Sequence, residues 1–253
     1  MTAAGAQLRP MSVIYHWFWQ VIDLIYPPDC SGCQKPGLRW CTDCAGKVEP
    51  LQETLCPICG VPQTQPQVCA QCISNPPACD QIRSYARYTG PLRQAILRLK
   101  YKRDLGIGEI LAEYLVRQYR LTGWDIDAIV PVPLSHARYH ERGYNQVSQF
   151  SFPFAWAISK PYLPGALMRT RNTTSQVGLS GQQRRMNVIG AFSACQRKVM
   201  GKRILVIDDV TTTGATLDAC AKALKDSGAK IVYGLTLARA GLVVDNDNDF
   251  PST

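Results

Sequence analysis

Apolar residues recur at helical spacing in several separate stretches of the chain. Val13, Ile14, Trp17, Val21, Leu24 and Ile25 form the first such set and predict a short amphipathic helix. His16, Gln20 and Asp23 interrupt it, and it is too short and too polar to span a bilayer. Its apolar face can pack on the main domain or meet a membrane surface or partner, and the pattern leaves both open. Leu92, Ala95, Ile96 and Leu99 predict a second helix; Ile110, Leu111, Tyr114 and Leu115 predict a third that ends before Gly123. A mostly apolar stretch over 126–132, stopped by prolines, predicts a short buried strand, and a loop and helix follow over 135–146. Three prolines in 152–167 leave that stretch without an assigned element. The clearest unit is a strand over 204–210, then a helix striped by Leu217, Cys220, Ala221 and Leu224 that ends at Gly228, then the strand KIVYGLTLA. Strand, helix, strand at this spacing predicts a parallel, helix-covered α/β sheet.

Between the first helix and this pattern the chain has few large apolar residues but eight of its cysteines, in four CxxC pairs: Cys30/Cys33, Cys41/Cys44, Cys56/Cys59 and Cys69/Cys72. One CxxC turn presents two thiolates to one metal, and two turns complete a tetrahedral shell of four sulfurs. Pairing in sequence order leaves seven and nine residues between partners, the size of a small ribbon or knuckle, and Gly32, Pro36, Gly37, Pro57, Gly60 and Pro62 suit its turns. The expectation is one or two structural zinc ions, whose binding energy is the folding energy of the segment. Disulfides and an iron–sulfur or redox use are the competing readings. No small-residue cleavage site follows a basic start, so a secretory leader and the oxidising setting of disulfides are not expected. Cys79 is read as a free thiol, and Cys195 and Cys220 as structural.

The 253 residues divide into an amphipathic segment over 1–28, a double zinc-ribbon-like domain over 29–78, a larger domain over 80–240 and a short acidic tail over 241–253. The formal charge of +9 is unevenly placed: between Pro131 and Leu205 eleven Lys or Arg residues face one acid, Glu141. Such a surface attracts phosphates, nucleic acid or an anionic membrane, and charge alone does not choose among them. Residues 169–187, RTRNTTSQVGLSGQQRRMN, are polar, basic and long for a plain connector, which suits a mobile lid over an anion.

Chemistry concentrates in DDVTTTGAT, 208–216. Asp208 and Asp209 close a parallel strand at its carboxyl end, where open α/β sheets place ligands. The Thr/Gly turn and the new helix offer backbone N–H groups and hydroxyls to a phosphate monoester, and Gly214 lets the backbone approach closely. Carboxylates beside a phosphate nest suit a ligand that also carries vicinal hydroxyls, and a ribose 5-phosphate has both. A bare helix cap would explain Thr211 or Thr213 but leave the paired acids without a role. A P-loop would need GxxxxGK[ST], and a dinucleotide turn would need glycines directly after the first strand; both are missing.

VIDDVTTTGAT resembles the phosphoribosyl-pyrophosphate signature of type I phosphoribosyltransferases. With IVPVPLSHARYHERGYNQ, RTRNTTSQVGLSGQQRRMNVIGAF and the four CxxC pairs, most of the chain from about residue 26 to 240 resembles the ComF/GntX family of competence-associated, phosphoribosyltransferase-like proteins. The resemblance implies a type I phosphoribosyltransferase-like parallel sheet with helices on both faces. It implies that Asp208 and Asp209 face ribose hydroxyls, and that Thr211, Thr212, Thr213, Gly214 and Thr216 cradle the 5-phosphate. Residues 131–134 would form the pyrophosphate-side loop with Arg138 and Arg142 near it, and Arg169, Thr170, Arg171 and Gln176 would belong to the lid, with Arg184, Arg185 and Asn187 just beyond. Mg²⁺ would be held largely through phosphoribosyl pyrophosphate itself. The family's link to DNA uptake and natural transformation implies single-stranded DNA and other uptake proteins as partners. A cytoplasmic location follows, peripheral at the inner membrane if the first helix meets lipid.

No base-binding hood is recognisable, and no side chain is an evident general base; His136 and His140 read as anion contacts or solvated residues. Three functions therefore stand side by side: a competence protein that binds nucleic acid and retains the sugar-phosphate pocket, an active phosphoribosyltransferase of unknown acceptor, and a non-catalytic sugar-phosphate sensor or adaptor.

Overall fold

A computed structural model describes residues 27–52, 54–170 and 190–241. The helix predicted over 13–25, the basic segment from Arg171 through Asn187 with Gln176, and the acidic tail lie outside the described residues. No helix among the described residues is long and apolar enough to cross a membrane.

Two single-turn helices, α1 (Thr42–Gly46) and α2 (Ala70–Ser74), belong to the cysteine-rich region, and each starts directly after a cysteine. The larger region follows as β1 (Gln81–Arg87), α3 (Gly90–Tyr101), α4 (Gly108–Thr122), β2 (Ala128–Pro131), α5 (His136–Arg142) and α6 (Gln146–Ala157). It continues through β3 (Leu167–Arg169), β4 (Phe192–Ala194), α7 (Gln196–Val199), β5 (Arg203–Thr211), α8 (Ala215–Asp226) and β6 (Ile231–Arg239). Four strands form one sheet in the order β1-β6-β5-β2, with every neighbouring pair parallel. β3 and β4 pair antiparallel as a separate ribbon, and the basic segment lies between them in the chain.

Burial on both faces explains why β5 and β6 read as apolar runs. On β5, Leu205 and Ile207 join the core under α3, α4 and α6, while Ile204 and Val206 join the core under α8 and the β3–β4 ribbon. Consecutive side chains of a strand point to opposite faces, and this alternation decides where Asp208 and Asp209 go. At the amino edge Arg203 grips Asp127 through Nε to Oδ2 at 3.1 Å and Nη2 to Oδ1 at 2.6 Å, fixing β2 beside β5.

Helical stripes fall where the spacing puts them. Leu92, Ala95, Ile96 and Leu99 of α3 are buried, as are Leu111, Tyr114 and Leu115 of α4. The strand expected over 126–132 is shorter, Ala128–Pro131, and beyond it the Val132 N–H still donates to the Ile207 carbonyl at 2.9 Å. The stretch left unassigned contains the end of α6, which runs through Pro153. Proline removes one helical hydrogen bond, yet Phe150 and Phe154 on either side of it are fully buried, and their packing outweighs that loss.

The cysteine-rich region covers the open edge of β1. Ile82 N–H donates to Ile58 at 2.7 Å, Leu51 N–H to Tyr85 at 2.9 Å and Arg87 N–H to Glu49 at 2.9 Å, each to a backbone carbonyl. Gly60 has φ +69°, and a Cβ there would collide with the Ile82 carbonyl, so only glycine lets this turn lie against the strand. Further forward, Asp104 accepts from Ser31 Oγ at 2.6 Å and from Arg98 Nε at 3.1 Å, and Trp40 Nε1 donates to Tyr114 Oη at 2.7 Å.

Candidate functional site

The eight paired cysteines gather into two groups, Cys30/Cys33/Cys41/Cys44 and Cys56/Cys59/Cys69/Cys72, the thiol sulfurs of each lying within 4.8 Å of one another. Sulfurs are 3.6 Å apart for Cys30–Cys41, 3.7 Å for Cys33–Cys41 and 3.7 Å for Cys59–Cys69. A zinc tetrahedron with Zn–S near 2.3 Å has edges of about 3.8 Å, whereas a disulfide would bring sulfurs to about 2 Å. The donor set fits zinc and not cystine. Cys41 N–H donates to Cys30 Sγ at 3.4 Å and Cys69 N–H to Cys56 Sγ at 3.5 Å. Burial opposes ionisation of Cys30 and Cys56, but such backbone donors outweigh it and lower both thiols to about 6.

At the carboxyl edge of the sheet the two aspartates part company. Asp209 turns to the α3/α6 face and is 5% exposed. Lys100 Nζ of α3 donates to its Oδ1 at 2.9 Å, and Gln146 Nε2 of α6 donates to its Oδ2 at 2.8 Å. Asp208 turns to the α8 face, stays half-buried and accepts the Asp209 N–H on Oδ1 at 2.9 Å. Burial and the charge of Asp209 raise its pKa to about 7, against the weaker pull of Lys100 and Arg169. Arg169, at the end of β3, senses both Arg138 and Asp208, and burial together with Arg138 lowers its own pKa. Arg169 is thus within electrostatic reach of both Asp208 and Arg138.

Thr211 is buried, Thr212 and Thr216 are half-buried, and Thr213 is exposed at the turn. Gly214 holds φ +82° as the cap of α8, a conformation that favours glycine. Thr213 Oγ1 accepts the Ala215 N–H at 3.4 Å. Among the described residues the N–H groups of Thr212, Thr213 and Gly214 make no backbone hydrogen bond. Those groups lie at the amino end of α8, where a helix carries positive partial charge.

Arg142 is buried: Nη1 donates to Gln146 Oε1 at 2.8 Å and the guanidinium lies 5.1 Å over the Tyr101 ring. It supports Asp209 through Gln146. Arg138 stays half-buried at the start of α5, whose cap is Ser135. His136 and His140 are exposed.

The sequence reading missed Lys100, Gln146 and Arg239. Lys100 stands four residues after Ile96, on the buried side of α3, and a lysine at such a position signals a buried counter-charge. Arg239 ends an otherwise apolar strand at the ligand edge and is 3% exposed.

A parallel α/β domain whose DDVTTTGAT strand, turn and helix open at its carboxyl edge, with two four-cysteine sites bound along its side, is a phosphoribosyltransferase-like domain joined to a double zinc ribbon. The double zinc ribbon domain family matches residues 21–73. The chain belongs to the ComF/GntX family of competence-associated proteins. It is 33% identical over 226 residues to DNA utilization protein YhgH of Escherichia coli K12, covering 85% of this chain and 99% of that protein. It is 32% identical over 224 residues to competence protein F of Haemophilus influenzae, covering 83% and 90%. Adenine phosphoribosyl transferase from Trypanosoma brucei, solved with AMP, pyrophosphate and ribose-5-phosphate, overlaps 68% of this chain and 89% of its own at 12% identity and a TM-score of 0.40. That partial likeness leaves the sheet order above to define the fold.

Proposed function

We propose that the chain binds phosphoribosyl pyrophosphate, or a related sugar phosphate, with Mg²⁺ at the carboxyl edge of the sheet, and that its basic surface holds single-stranded DNA during DNA uptake. One observation carries the reading: a half-buried acid and a row of N–H groups without backbone partners follow one another along a single strand and turn, from Asp208 to Gly214. In this reading Asp208 accepts hydrogen bonds from the ribose hydroxyls. The N–H groups of Thr212, Thr213 and Gly214, with the hydroxyls of Thr213 and Thr216, receive the 5-phosphate, and Thr211 lies beneath them. Arg138 and Arg169 face the pyrophosphate charge. Asp209 with Lys100 supports Asp208 from behind, and Gln176 belongs to the basic segment read as a lid. Mg²⁺ would offset the charge of the bound pyrophosphate.

The names of the relatives tie them to DNA utilization and competence, and eleven Lys or Arg against one acid between Pro131 and Leu205 supply the attraction for a polyanion. Exposed Tyr139, beside Arg138, gives a base a ring to stack on. The cytoplasm, where thiolates stay reduced, suits the two zinc sites. Fluorescence anisotropy with labelled single strands tests the nucleic-acid half. Binding is expected to weaken about a hundredfold between about 50 and 200 mM salt if about five phosphates are contacted. Absence of binding at low salt would remove DNA from the reading, and pyrophosphate release with candidate bases would convert it to an active transferase.

A further inference from the structure

The turn that receives the anion is held from behind by the end of β6. Arg239 Nη1 donates to the Thr212 carbonyl at 3.1 Å, and the Ala240 N–H donates to the Thr211 carbonyl at 2.9 Å. No peptide among the described residues is cis. In a planar trans peptide the C=O and N–H point in opposite directions. Anchoring those two carbonyls therefore aims the N–H groups of Thr212 and Thr213 the other way. The second arm of the same guanidinium, Nη2, donates to the Cys59 carbonyl inside the second four-cysteine group. That group is itself pinned to β1, where Arg83 Nη2 donates to the Pro57 carbonyl at 3.0 Å and Ile82 N–H to the Ile58 carbonyl at 2.7 Å. Arg239 is buried, and its Nε has no hydrogen-bond partner among the described residues. A lysine could not span both, because only the guanidinium presents donors in a rigid planar fork.

We propose that Arg239 is a positioning residue through which the second four-cysteine site sets the aim of the Thr212–Thr213 peptide, so that metal binding at Cys56/Cys59/Cys69/Cys72 and anion binding at the turn are coupled. The ligand part of this rests on the sugar-phosphate reading above; the coupling of ribbon to turn does not. A zinc ribbon that only stapled its neighbour would leave the turn unmoved when the second site is lost and Arg239 is kept.

The test uses the full zinc-loaded chain and compares wild type with Arg239→Met, Arg239→Lys and Cys69→Ser/Cys72→Ser, which removes the second site and leaves the first. Zinc content and the amide resonances of α4 report that the main domain remains folded. Without ligand, the amide resonances of Thr212, Thr213 and Gly214 are expected to shift or broaden in Arg239→Met and in the double cysteine variant. Ribose 5-phosphate affinity, by calorimetry, is expected to fall about tenfold in both, within the usual range for coupling between two sites. Arg239→Lys, which keeps the charge but reaches one carbonyl, should fall between and carries the test if the methionine variant does not fold. Turn resonances and affinity that match wild type in the double cysteine variant, or in the Arg239 variants, would overturn the proposal. Shifted resonances in the variants, with a wild type that binds no ribose 5-phosphate, would uphold the coupling and reject the sugar-phosphate reading instead.

Discussion

Lys100 neutralises Asp209 from 2.9 Å, while Asp208, one residue earlier on the opposite face of β5, meets the N–H of its neighbour. The folded-state pKa of Asp208, about 7, lies above the ordinary 3.8. Between about pH 4 and 7 the folded chain therefore keeps a proton that the unfolded chain releases, and stability falls as pH rises through that window. Asp208→Asn should melt higher than wild type at pH 8, with the gap closing as pH is lowered towards about 4; a gap independent of pH would show that the carboxyl is not held in this way. Lys100→Met leaves Asp209 buried without its cation and should cost about 3–5 kcal/mol in urea unfolding. Adding Asp209→Asn should recover most of that loss, since Gln146 can still bond the amide oxygen. A double variant no more stable than Lys100→Met would show that the lysine acts through packing.

Among the elements, α3, α4 and the β5–α8–β6 unit were legible because their apolar spacing serves one purpose, burial against the sheet. The ends and departures were less legible, because tertiary packing decides them: α6 continues through Pro153 for the sake of Phe150 and Phe154, and β2 stops at its prolines although Ile126 and Val132 beyond its ends stay buried. The cysteine spacing gave the correct pairing into two groups, since short intervening loops allow little else. Its second task was hidden, because a CxxC pattern says nothing about which strand edge the ribbon will cover. Uncovered, the outer edge of β1 offers the N–H groups of Ile82 and Arg87 to any other strand. Chelation of zinc should therefore produce self-association that grows with concentration, measured by sedimentation velocity; a chelated protein that stays monomeric would mean that the ribbon holds its place without metal.

Across the whole molecule, acid and base are segregated by function. At the carboxyl edge one half-buried acid lies within electrostatic reach of Arg169, and both four-cysteine groups are bonded to elements around it, one through Ser31 and Asp104 to Arg98 of α3, the other through Arg239 to the turn. The motif DDVTTTGAT marked the strand, turn and helix at which the proposed site lies. It could not disclose that its two acids point to opposite faces, although strand alternation already implied it, because the family pattern treats the pair as a unit. Calorimetric titration of phosphoribosyl pyrophosphate with Mg²⁺ at pH 8 into wild type and Asp208→Asn, both shown to be folded and zinc-loaded, tests the central claim most directly. Saturable binding by wild type, at least about tenfold weaker in the variant for loss of a charge-assisted hydrogen bond, is the predicted result; equal affinities, or no heat of binding in wild type, would contradict it.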